Sequence, residues 1–115
     1  MINKFSIKLN PYPKSLLILH GTRNEVNTYL KKISQHILDS RGCTIGLNKN
    51  KDNYAILLDS KLCTQATIAH EAIHISWYLN DDLGLNFNSN CDEQQTYLVA
   101  YIMNEINIKI KVKIK

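Results

Sequence analysis

The stretch "ATIAHEAIHISWYL", residues 66–79, decides how this chain is read. Ile68, Ala72, Ile75 and Leu79 recur at spacings of four, three and four, the period of one apolar helix face. The pattern begins at Thr64 and runs out around Asp81-Asp82-Leu83-Gly84, where glycine offers a left-handed stop. His70 and His74, one turn apart, fall on the opposite face, and Glu71 on the edge beside them. That face is expected to turn toward the next helix.

Working toward the N-terminus, "YAILLD" (54–59) is an apolar run that suits the edge or interior of a sheet, and "CTIGL" (43–47) precedes it across the polar turn "NKNKDN" (48–53). Val26, Tyr29, Leu30, Ile33, Ile37 and Leu38 give a second helical period starting at Asn24, with Arg41-Gly42 as its stop. Before it lie two expected strands, "INKFSIKL" (2–9) and "SLLILHG" (15–21), separated by Pro11 and Pro13. Toward the C-terminus a third helix is expected from about Asp92 to Ile106. The tail "INIKIKVKI" then alternates like a half-exposed strand. The order β-β-α-β-β-α-α-β predicts an α+β fold, a small, mostly antiparallel sheet packed on three helices.

At 115 residues with 44% hydrophobic content, the chain fits one domain, 1–115, with 106–115 as a Lys-rich strand or tail. No apolar stretch approaches the roughly 18 residues of a membrane span, and the first residues lack the order of a signal peptide, so a cytoplasmic protein without a membrane partner is expected. Cys43, Cys63 and Cys91 are odd in number and form no C-x-x-C pair, which argues for reduced thiols. The net charge of +4 arises largely in "KIKVKIK", where four of the fourteen basic residues sit; a local tail is a poor nucleic-acid footprint, and no such partner is expected. His20 and His36 stand alone in apolar surroundings and are not expected to bind metal.

The chemistry is in His70-Glu71-Ala72-Ile73-His74. Two imidazoles at i and i+4 can aim at one ion, and zinc held by two histidines and a third ligand keeps a fourth position for water, whose pKa it lowers to roughly 7. Glu71, adjacent but not ligating, is placed to act as general base on that water. By chance, H-E-x-x-H would occur in roughly half a percent of such chains, so the motif is informative. A third protein ligand is sought on the next helix: Glu93, which also has the capping-box spacing Asn90-x-x-Glu93, or Asp92 or Cys91. Tyr97, one turn after Glu93, is either a core residue or a phenol near the metal that stabilises an oxyanion. Trp77 and Tyr78 read as core aromatics.

"TIAHEAIH" followed by an acidic residue at the start of the next helix resembles the zincin metallopeptidases, in the gluzincin arrangement of H-E-x-x-H plus a downstream glutamate. The pattern over roughly 15–105 is similar to small zincin-like proteins encoded by bacteriophages. The resemblance implies one zinc per chain bound by His70, His74 and Glu93, Glu71 as general base, and "YAILLD" as the sheet edge along which an extended peptide lies. It also implies either a metallopeptidase-like hydrolase acting on a peptide or protein, or a viral accessory or virion protein that keeps the fold as a binding module for a virion or host protein. Such a protein would reside in the host cytoplasm or the virion. Larger gluzincins often carry an aspartate where this chain has Tyr97, so the hydrogen bond that orients a ligand histidine must come from elsewhere.

Overall fold

A computed structural model describes residues 1–48, 50–85 and 92–115. Among these residues the chain forms β1 (Asn3–Lys8), β2 (Ser15–Gly21), α1 (Arg23–Leu30), β3 (Gly42–Gly46), β4 (Tyr54–Asp59), α2 (Gln65–Leu83) and α3 (Asp92–Lys109). The strands make one sheet in the order β1-β2-β4-β3. β1 pairs with β2 and β3 with β4 in antiparallel fashion, while the central pair β2 and β4 is parallel, Leu16 opposite Tyr54 through Gly21 opposite Asp59. The fold is α+β, with two of its three strand pairings antiparallel.

The two central strands are near-continuous apolar runs because both of their faces are covered. Leu16, Ile18, Tyr54, Ile56 and Leu58 point into a core shared with α2 and α3, and Leu17, Leu19, Ala55 and Leu57 into a smaller core under α1. All six residues of β4 are buried and it is hydrogen-bonded on both sides, so "YAILLD" is interior and not the sheet edge that the resemblance implied. The edge on that side is β3.

Two further expectations are corrected. The first helix ends at Leu30 instead of continuing to Leu38. The Asn27 side chain captures both the N–H and the C=O of Leu38, at 2.6 and 3.0 Å, so the chain folds back and buries Leu38 from a loop. At the other end, α3 runs on to Lys109, and the tail forms an isolated β-bridge, Thr64 to Lys113, and a hydrogen bond from the Gln65 side chain to the Val112 carbonyl at 3.0 Å, not a strand. Leu98, Ile102, Ile106 and Ile110, all buried, follow one another at four-residue spacing, so the helical period overrides the alternation of the tail.

α2 is capped at its start by Thr64, whose side chain accepts from the Thr67 N–H while the Thr67 hydroxyl accepts from the Thr64 N–H. Gly84, with φ of 67°, closes it in the left-handed conformation. Ile68, Ala72, Ile75 and Leu79 are fully buried, as their spacing predicts. α3 lies antiparallel to α2: Gln95 donates to the buried Ser76 hydroxyl at 2.9 Å, and Gln65 and Asn107 exchange two side-chain hydrogen bonds at 2.7 and 2.9 Å.

His20, buried in β2, bonds through Nδ1 to the Asn3 amide at 3.1 Å. Burial lowers its pKa below the ordinary 6.5, an effect partly offset by Asp59. In the unfolded chain this imidazole takes up a proton as pH falls through 6.5, while in the folded chain it does so only at lower pH. Its contribution to stability is therefore complete above that pH and declines below it. Urea midpoints taken at about pH 7.5 and about pH 5.5 are expected to fall for the wild type and to fall less for His20→Gln.

Candidate functional site

His70 and His74 are exposed on α2, and their Nε2 atoms stand 3.3 Å apart with the rings edge to face at 70°. Two nitrogens each bound to one tetrahedral zinc at 2.0–2.1 Å would be separated by about 3.3–3.4 Å. The pair thus fits two corners of a zinc site.

Glu71 is buried, on the side of α2 that meets β3. The Thr44 hydroxyl lies 2.7 Å from Glu71 Oε1 and 3.1 Å from the Glu71 carbonyl oxygen, a bifurcated contact that pins both the turn of helix and its carboxylate to the edge strand. Thr44 is 27 residues away in sequence, and no local pattern marks it out. Glu71 and His70 line an open cleft of about 370 Å³ between the beginnings of β3 and α2, with Ser40, Arg41, Gly42 and Thr67 around it. Arg41 supplies the positive charge in this lining.

Gly42 sets how closely α2 approaches β3. A Cβ there would lie 2.7 Å from Thr67 Cγ2 and 3.3 Å from Glu71 Cγ. Thr67 cannot swing away freely, since its hydroxyl is held by Thr64 in the helix cap. Gly42→Ala is therefore expected to push α2 off the edge strand and to cost about 1–3 kcal/mol of stability, measurable by urea denaturation.

The expected turn of the histidine face toward α3 is not found. α3 meets α2 along Gln65, Ile73 and Ser76, and Ile73 shares a groove with Gln95, Val99 and Met103. Glu93 is exposed at the first turn of α3 and opens onto a different cleft, formed with Asn10, Pro11, Tyr12, Tyr97 and Tyr101. Among the described residues, no three His, Cys, Asp or Glu side chains converge on one point. The structure therefore brings together His70, His74 and, beside them, Glu71, but not Glu93. Cys91 lies outside the described residues.

Tyr97 is neither core nor beside the histidines: it is 72% exposed. Trp77 is 45% exposed near His74 on α2, while Tyr78 stacks on Tyr54, ring centroids 5.5 Å apart, as a core aromatic does. The Tyr54 hydroxyl donates to Asp82 at 2.5 Å, which with burial raises its pKa. Cys43, in β3, is not activated: burial pushes its thiol up, reinforced by Glu71 and Asp39. No helix among the described residues is long and apolar enough to cross a membrane. No protein-family model, curated protein or solved structure matches the chain.

Proposed function

We propose that this protein is a zinc-dependent hydrolase of peptide or related amide bonds, in which His70 and His74 hold the metal and Glu71 is the general base. The observation that carries this reading is the 3.3 Å separation of the two Nε2 atoms on a helix whose neighbouring carboxylate is fixed in a cleft. Zinc bound there supplies Lewis-acid polarisation of a carbonyl and brings the pKa of water toward about 7.

The chain's own residues account for the rest. Thr44 holds Oε1 of Glu71, and the carboxylate so positioned would take a proton from water and return it to the leaving amine. In the sheet β3 pairs with β4, so its outer edge offers backbone groups to an extended substrate. Arg41, at the start of that strand, can pair with a carboxylate on the substrate.

Zinc content by atomic emission tests this: about one zinc per chain in the wild type, loss in His70→Ala, and no loss in Glu93→Ala, because Glu93 lines a different cleft. A wild type that takes up no zinc would remove the whole reading.

A second reading, a metal-holding binding module without turnover, is favoured by the exposure of Ile73 and Trp77 on either side of His74, an apolar face suited to a protein partner. Zinc retained with no hydrolysis of any peptide in a diverse library would select it over the enzyme.

A further inference from the structure

A second cleft, of about 690 Å³, lies between the turn at Asn10–Pro11 and the first half of α3. We propose that it binds the basic side chain, arginine or lysine, of an extended peptide. This inference goes beyond the metal site and does not depend on it.

Three tyrosines line the cleft. Tyr12 is packed against the main core, and its N–H donates to the Leu9 carbonyl at 2.8 Å, which sets its backbone in the turn. Tyr101 donates its hydroxyl to the Lys8 carbonyl at 2.9 Å, which tethers its ring between α3 and the end of β1. Tyr97 is the exposed member. On α3, Glu93, Tyr97 and Tyr101 follow one another at four-residue spacing and form a single stripe, a carboxylate followed by two rings.

The charge of the lining identifies the occupant. The chain carries fourteen lysines and arginines and a net charge of +4, yet among the described residues no lysine or arginine lines this cleft, while Glu93 brings a carboxylate to it. Aromatic faces with a nearby carboxylate are the combination that attracts an ammonium or guanidinium ion, through the ring quadrupole and Coulomb attraction together. An anion would find no cationic side chain among these residues. The volume is several times that of a guanidinium head, leaving space for the backbone that carries it, and this favours a peptide-borne side chain over a small free cation.

The test is a titration of the ¹⁵N-labelled full chain, in the presence of a zinc chelator, with three probes: acetyl-GSRSG-amide, the same peptide with citrulline for arginine, and N-acetyl-arginine amide. The proposal expects shifts grouped at Tyr12, Glu93, Tyr97 and Tyr101, about tenfold weaker binding of the neutral citrulline peptide, and weaker binding of the isolated amino acid. Tyr97→Leu should weaken the arginine peptide about fivefold and Glu93→Gln about threefold, both with unchanged thermal melting because the two side chains are exposed. Equal binding of the citrulline peptide would overturn the cation, equal binding of N-acetyl-arginine amide would overturn the peptide, and no shifts in the cleft would overturn the site. None of these outcomes bears on zinc, which is read separately by metal content.

Discussion

Glu71→Gln is expected to keep about one zinc per chain and to lower peptide turnover by roughly 10²–10⁴-fold. The separation of the two effects follows from geometry. A glutamine at 71 preserves an oxygen to accept the Thr44 hydroxyl, so the contact between α2 and β3 survives and the imidazoles of His70 and His74 stay where they are. What the amide cannot do is accept a proton from water. Zinc content, circular dichroism and turnover on one peptide substrate, measured together, check this; a variant that hydrolyses as fast as the wild type would show that the proton goes elsewhere. Thr44→Val would then report on positioning: with the hydroxyl gone, Glu71 loses that anchor, and turnover should fall less than in Glu71→Gln.

His74→Ala has the second large expected effect, a loss of zinc affinity on the order of 10²–10³-fold. His74 is exposed and makes its recorded polar contact with His70, so its removal leaves no cavity and no buried partner. Alanine is also the better helix former. The metal-free variant should consequently melt at or slightly above the temperature of the metal-free wild type. Zinc should raise the melting temperature of the wild type by mass action and leave that of the variant unchanged. Differential scanning fluorimetry with and without zinc gives both comparisons, and an equal zinc response in the two proteins would place the ion away from His74.

The parts of the fold that could be read in the sequence are those where a face is buried along its whole length. Leu16 to Leu19 and Ala55 to Leu58 read as strands, and Ile68, Ala72, Ile75 and Leu79 as a helix with one buried stripe; that Ala55 to Leu58 is interior to the sheet and not its edge is set by the pairing. The misread segments are those where two periods coincide. Ile106, Ile108 and Ile110 fit an alternating strand, yet Ile106 and Ile110 also continue the four-residue series of α3, and it is Ile108 that is left 73% exposed. Residues 33–38 continue the apolar period of α1, but the side chain of Asn27 offers Leu38 a non-helical pairing that no local pattern announces.

The site divides along the same line. His70, Glu71 and His74 belong to one turn of one helix, so their relation is local and legible. Thr44, Arg41 and Gly42 reach the site from β3 through tertiary packing, and their sequence neighbourhood contains no signal of it. The rotation of α3 about its axis is likewise set at a distance, by Gln95 on Ser76 and Asn107 on Gln65, which is why Glu93 stands in line with Tyr97 and Tyr101 and not with the histidines.

Zinc K-edge X-ray absorption of the wild type loaded with one equivalent of metal tests the central claim most directly. A site built on His70 and His74 predicts nitrogen or oxygen scatterers at about 2.0–2.1 Å, multiple scattering from two imidazoles, and no sulfur shell. A sulfur shell at about 2.3 Å, or a spectrum without imidazole scattering, would contradict it.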